Sequence, residues 1–331
     1  MSERAPTLKD VAAAAGVAVM TASRAFARPE LVSPSTREKV ITAANSLGYR
    51  HNALAAAMRS QQSGLVGVIV ANIENPFHSK LAQGIDQVLT ANGRRMLLGH
   101  SQDDAAREAA LIADMRSWRV EGIIAVPALA EVPAEDRFAG IPTVLAGRRA
   151  ATDTISQVTV DDEEGARIAT ADLIARGATR IGFIGNEDRI ATTVDRLAGY
   201  RAALAEAGID FTERLVRLGC RTVSDARTAA ESLRANLAPD ALFCVNNQTT
   251  IGALQAYADV AEPPLITGFD DLDLAGLLRI PTTLVSYDPV AMGADAATLL
   301  LENLDSPSGS PTQLVLPVSL HRHGAAVATD R

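Results

Sequence analysis

The stretch Thr7 to Arg24, TLKDVAAAAGVAVMTASR, holds two short helices and the turn between them. Thr7 followed by Asp10 has the spacing of an N-terminal capping box, in which each side chain answers the other residue's backbone N–H. A helix is therefore expected to begin at Leu8 and to bury Leu8, Val11 and Ala12. Gly16 falls where the chain must turn, and glycine adopts positive φ without a Cβ clash. A second helix is expected from near Ala18 to about Ala25. Further on, Ser33 can cap a third helix, Pro34 can occupy its first position and Gly48 can end it, with Val40, Ala44 and Leu47 on the inner face. A helix, a short turn containing Gly and a second helix are the parts of a helix-turn-helix.

The charge is distributed to match. The 331-residue chain is acidic, with a net charge of −8, which alone argues against nucleic acid. Yet residues 1–60 hold eight Lys or Arg against four Asp or Glu, and the remainder holds 23 against 35. A basic head on an acidic body suits DNA binding by one end only. Hydrophobic residues make up 47% of the chain, enough for two or three domains with real cores. Cys220 and Cys244 lie far apart without a C-x-x-C partner, so neither a disulfide framework nor a zinc site is expected. The opening MSERAPTLKD lacks an apolar signal segment and no run of about 18 apolar residues follows, so a cytoplasmic protein without membrane insertion is expected.

The order T-L-K-D-V-A, A-G-V, T-x-S-R, S-x-x-T-R-E-K-V and L-G-Y in the first 50 residues resembles the LacI family of bacterial transcription repressors. The gluconate-repressor-like branch is one candidate placement within it. The resemblance implies that Val19, Met20 and Arg24 face base edges while Thr21, Ser23 and Ser33 touch phosphates, with Tyr49 also near DNA. It further implies a hinge helix over residues 51–63 whose paired copies enter the minor groove through Asn52, Ala55 and Met58. His51 and Met58 depart from the usual hinge proline and leucine.

From Gly64 onward, short apolar runs alternate with helical stretches. Strands are expected at 65–71, 95–99, 122–126, 142–146, 180–185, 215–218, 241–245 and 264–269, with further strand material at TQLVLP after the SPSGSP loop. Helices are expected near 77–92, 104–118, 162–176, 193–207, 224–236, 249–258 and 290–304. Continuous apolar strands between helices indicate buried parallel sheets covered on both faces. The expected fold is thus an all-α helix-turn-helix head (1–50), a hinge (51–63) and an α/β core (64–331) of two periplasmic-binding-protein-like lobes. The first lobe would span about 64–159 and 289–320, and the second about 160–288.

In open parallel sheets, ligands bind beyond the carboxyl ends of the strands. That rule selects the loops holding Asn75, Phe77 and His78, then Arg148, Asn246 and Asp270. Arg196, in the R-x-x-G-[FY] pattern, offers a bidentate fork, and Thr192 lies one turn before it. The resemblance gives these residues to a small sugar or sugar-acid effector. Two departures separate this chain from its relatives: Ala146-Gly147-Arg148 replaces a common I-D-R, and Tyr287 replaces a common glutamine.

No nucleophile, base and orienting group recur at a recognisable spacing, so no catalytic residue is expected. Gly182 and Gly185 make only an incomplete dinucleotide turn, and His321 and His323 read as surface residues rather than metal ligands. No cofactor is expected. The reading is a homodimeric or tetrameric regulator, most simply a repressor released from double-stranded operator DNA by its effector. The alternatives are a corepressor-dependent repressor, an activator of the same fold, or a stand-alone sugar-binding protein.

Overall fold

The computed structural model describes residues 6–27, 31–49, 63–129, 137–138, 140–306 and 309–324. The chain divides into two compact units, Met1–Gly64 and Leu65–Arg331.

The first unit contains α1 (Leu8–Ala15), α2 (Val19–Ala27) and α3 (Pro34–Ser46). Thr7 and Asp10 form the capping box: the Thr7 N–H donates to Asp10 Oδ2 at 2.7 Å, and the Asp10 N–H donates to Thr7 Oγ1 at 3.4 Å. Gly16 closes α1 with φ of 65°, the left-handed conformation that starts the turn. Ser33 caps α3 by accepting from the Thr36 N–H, with Pro34 at its first position. The core of this unit is Val11, Ala12, Ala22, Ala25, Val40, Ala43 and Ala44, against which Phe26 and Tyr49 pack. Leu47 is not part of it. α3 ends at Ser46, and Leu47 sits in the cap with 40% of its surface exposed, so Ala43 takes the inner position assigned to Leu47 from the sequence.

The second unit contains two six-stranded sheets. The strands are β1 (Leu65–Val70), β2 (Arg95–His100), β3 (Gly122–Ala125), β4 (Thr143–Ala146), β5 (Ser156–Val160), β6 (Ile181–Ile184), β7 (Val216–Arg217), β8 (Ala241–Cys244), β9 (Leu265–Phe269), β10 (Thr282–Ser286), β11 (Gln313–Leu316) and β12 (Ser319–His323). The first sheet runs β11-β5-β4-β3-β1-β2 and is parallel throughout. The second runs β12-β10-β9-β8-β6-β7 and is parallel except where β12 pairs antiparallel with β10. Helices α4 (Pro76–Ala91), α5 (Ala105–Ser117), α6 (Asp162–Ala175), α7 (Ala191–Glu206), α8 (Val223–Leu237), α9 (Asn247–Ala256) and α10 (Pro289–Asp305) connect the strands. Among the described residues no helix is long and apolar enough to cross a membrane.

The chain passes between the lobes three times: after Val160, before Pro289, and between β11 and β12. The third passage sends Ser319 and Leu320 into the second sheet rather than the first. There His321 and His323 lie in a strand that pairs with Leu284 and Thr282. Two of the parallel strands, β5 and β10, have Ser, Thr or Gln at many positions and so lack the apolar run that marks the others. The return of α10 to the first lobe rests on two glycines. A Cβ at Gly84 would collide with the Val290 carbonyl, and one at Gly293 with the Leu81 carbonyl, so α4 and α10 meet backbone to backbone. β2 is an edge strand, which leaves Leu98 43% exposed instead of buried on both faces.

Candidate DNA-reading face and effector cleft

In the head, α2 is amphipathic across its width. Ala22 and Ala25 are buried, while Val19 and Met20 are 43% and 65% exposed and Arg24 is exposed on the same side as Met20, one turn on. Thr21 and Ser23 are half-buried beside this face, Ser33 is exposed at the start of α3, and Tyr49 tilts against Phe26 with ring centroids 5.9 Å apart. The structure thus leaves outward the three side chains assigned to base edges. Asn52, Ala55 and Met58 lie outside the described residues.

In the core, the loops at the carboxyl ends of the strands converge between the lobes. From the first lobe, Asn75 caps α4, its Oδ1 accepting from the Phe77 N–H at 2.9 Å. Capping fixes where Phe77 and His78 point, and both are buried, their rings edge to face at 4.9 Å. Phe77 packs against Gly147, where a Cβ would stand 2.7 Å from its Cζ. The glycine in Ala146-Gly147-Arg148 therefore makes room for the aromatic ring. Arg148 donates from Nη1 to Asp103 Oδ1 at 2.5 Å and to the Pro127 carbonyl at 3.3 Å. Burial and the neighbouring Arg148 cation hold the His78 imidazole down to about 3, so it is neutral at physiological pH. Burial opposes ionisation of Asp103, but Arg148 outweighs it and the carboxyl stays below its usual range.

From the second lobe, Arg196 reaches inward from α7 and is 4% exposed. Its Nε and Nη2 both approach Asp162 Oδ1, at 2.8 and 2.7 Å, and its Nη1 donates to the Val245 carbonyl. The guanidinium carbon lies 3.4 Å above the centre of the Phe269 ring. Gly199 explains the spacing of the R-x-x-G pattern. A Cβ there would collide with the Glu163 carbonyl, so its absence lets α7 lie directly on the first turn of α6, which carries Asp162 to Arg196. Asp270 leaves β9 with φ of 70° and accepts a 2.7 Å hydrogen bond from the Tyr287 hydroxyl. Burial and the Asp270 carboxylate push the Tyr287 phenol well above its ordinary range, so it stays a donor. Tyr287 also packs edge-on against Phe77, centroids 6.0 Å apart, which joins the lobes across the cleft.

Phe77, Lys80, Asn247, Asp270, Tyr287 and Val290 border a cavity of about 310 Å³ between the lobes. Asn246 is not among them, and Asn75, His78, Arg148, Thr192 and Arg196 also lie outside the cavity's lining. Asn246 Oδ1 caps α9 by accepting from the Thr249 N–H at 2.9 Å, and the next residue, Asn247, turns inward instead. Asn247 donates from Nδ2 to Asn75 Oδ1 at 2.7 Å, while its own Oδ1 is buried without a hydrogen-bond partner. Thr192 is half-buried at the start of α7. Sequence reasoning passed over Asp103, Asp162 and Asn247. Their signal was position alone, since each follows a parallel strand at its carboxyl end.

Residues 7–52 match the model of bacterial regulatory proteins of the lacI family, and residues 63–262 match that of periplasmic binding proteins and the sugar-binding domain of the LacI family. The chain belongs to the LacI family. It is 34% identical over 331 residues to the HTH-type transcriptional regulator GalS of Salmonella typhimurium, covering 97% of this chain and 96% of that one. The solved complex of the transcriptional regulator CelR with cellobiose superposes with a TM-score of 0.72 at 28% identity, covering 97% of this chain and all of that one. The lac repressor dimer bound to operator and an anti-inducer shares the fold, with a TM-score of 0.81 at 23% identity over 97% of this chain and 99% of that one. As a LacI-family member the chain is a DNA-binding transcription regulator, not an enzyme.

Proposed function

We propose that the chain is a cytoplasmic repressor that binds operator DNA as a homodimer and is released when a small sugar-like effector enters the cleft. The observation that carries this reading is the meeting of Phe77 from the first lobe with Tyr287 and Asp270 from the second at one cavity. A ligand touching both sets favours the arrangement in which the lobes are together, and a ligand shifts an equilibrium only through such differential contacts. On this reading residues 1–50 are the DNA-reading domain, 51–63 the hinge and 64–331 the effector-binding core. Val19, Met20 and Arg24 read base edges, Thr21, Ser23, Ser33 and Tyr49 support the backbone contacts, and Asn52, Ala55 and Met58 enter the minor groove. Phe77, His78, Arg148, Thr192, Arg196, Asp270 and Tyr287, with Asn75 and Asn246 behind them, surround the effector. Exposed Ile73 and Leu98 in the first lobe and Leu274 and Leu277 in the second supply apolar surface for a second copy.

The test is selection of bound duplexes from random DNA with the full chain, followed by a release assay against a panel of sugars. Recovery of a two-half-site sequence from which a sugar releases the protein supports the reading. Tighter binding in the presence of the sugar would instead make the effector a corepressor.

A further inference from the structure

The two arginines of the effector cleft are already occupied. All three nitrogens of Arg196 are committed, two to Asp162 Oδ1 and one to the Val245 carbonyl, and both members of the ion pair are more than nine-tenths buried. Arg148 is held by Asp103 and the Pro127 carbonyl. His78 adds no charge, and Asp270 adds a buried carboxylate that accepts a hydrogen bond from the Tyr287 phenol. At the rim, Lys80 is bound to Asp273 at 2.5 Å. Carboxylates therefore outnumber cations among the buried groups. What the cleft leaves open is of another kind: Asn247 Oδ1 and His78 Nδ1 are buried without hydrogen-bond partners, beside the flat rings of Phe77 and Tyr287.

We propose that Asp162 is a specificity-determining residue, a built-in counter-ion to Arg196 that makes the cleft accept an uncharged polyhydroxy effector and refuse one carrying a carboxylate or phosphate. Hydroxyl groups donate to Asp270 and to the orphaned Asn247 oxygen, and they accept from whatever N–H the neutral His78 presents. The bonds to Asn247 and His78 each satisfy a buried group that has no partner in the protein. An anion would have to expel Asp162 from Arg196 or be desolvated beside carboxylates where Arg196, Arg148 and Lys80 already have partners, and a buried unpaired charge is strongly unfavourable. This rests on the reading of the cleft as the effector site.

The experiment is calorimetric titration of the full-length chain with matched sets of aldohexose, the corresponding uronic acid and the hexose 6-phosphate. In the wild type, one neutral sugar is expected to bind at least about 10- to 100-fold more tightly than its acid or phosphate, the range of one charged hydrogen bond. Asp162→Asn, which keeps the shape and frees Arg196, is expected to shrink that ratio by bringing the acid in. Circular dichroism checks that the variant is folded, and the wild-type ratio stands without it. An acid or phosphate binding the wild type as tightly as its neutral partner overturns the proposal while leaving the cleft an effector site. An unchanged ratio in folded Asp162→Asn also overturns it. If no member of any set binds, the effector-site reading falls and takes the proposal with it.

Discussion

Arg149 crosses from the first lobe to grip Asp195 of the second with two parallel hydrogen bonds, Nε to Oδ2 at 2.7 Å and Nη2 to Oδ1 at 2.6 Å. Arg149 follows Arg148, and Asp195 precedes Arg196, so each lobe contributes one residue to the cleft and its neighbour to a clasp beside it. The Arg221 guanidinium donating to the Gln102 carbonyl at 3.0 Å and Lys80 bound to Asp273 add to the same closure. A half-exposed pair is screened by solvent and contributes modestly, although fork geometry is its best case. Asp195→Asn is expected to weaken effector affinity about two- to fivefold, because closure then draws more on the ligand's own binding energy. Calorimetry at low and high salt checks this: the wild type loses affinity with salt and the variant loses less. Equal affinities at both ionic strengths would remove the clasp from the account.

Gly199 is a packing position with a consequence for the site. Gly199→Ala puts a methyl group into the Glu163 carbonyl, so α7 must move off α6 and draw Arg196 from Asp162. Overpacking of this kind costs about 1–3 kcal/mol. Urea denaturation of the isolated variant reads the cost, and an unchanged midpoint would show that the two helices separate freely.

The sequence makes the fold legible wherever an element announces itself. The caps at Thr7 and Ser33 and the apolar runs of β1, β3 and β8 needed no partner to be read. Legibility ended where an element depends on a distant neighbour. β5 is SQVTV, polar to the eye, yet Gln157 is buried because its side chain accepts from the Ala150 N–H at 2.9 Å and donates to the Thr152 carbonyl at 2.9 Å. β12 is a strand because β10 has a free edge. The site divides in the same way. Arg196 and Asp270 stand in recognisable patterns, whereas Asp162 becomes conspicuous only once Gly199 has brought α6 against α7. Asn246 and Asn247 are adjacent and alike in sequence, and only the start of α9 decides which caps and which faces the cleft.

Arg24 is the one cation on the exposed face of α2. A bidentate contact from arginine to guanine O6 and N7 is worth about 1–3 kcal/mol of discrimination. Arg24→Ala is expected to lower operator binding by that amount and to lower binding to scrambled duplex far less. Fluorescence anisotropy on both duplexes gives the ratio. A ratio equal to that of the wild type would move base reading elsewhere on the head.

Acid should weaken the core through His78. The unfolded chain's imidazole takes up a proton near 6.5, while the folded one refuses it until about 3. The unfolded state then binds more protons, so this contribution to stability falls as pH drops from about 6.5 toward 3. Asp162 runs the other way. Burial, against the pull of Arg196, raises its carboxyl from 3.8 to about 6, so the fold holds a proton there that the unfolded chain has released. The two contributions oppose each other in the wild type, and the comparison with His78→Gln isolates the histidine. Urea denaturation across this range is expected to show wild type losing stability relative to the variant as pH falls. A constant difference would mean that His78 titrates normally in the fold.

The most direct measurement of the account is release of operator by effector in a protein whose head is untouched. Labelled operator duplex bound by the full-length chain is titrated with the sugar identified by calorimetry, and anisotropy is followed for wild type and for Asp270→Asn, which keeps a partner for the Tyr287 hydroxyl and removes the charged acceptor. The expected result is equal operator affinity without sugar, release of the wild type, and little or no release of the variant at the same sugar concentration. Release of Asp270→Asn at the wild-type concentration would contradict the claim that the cleft between the lobes governs the DNA-binding head.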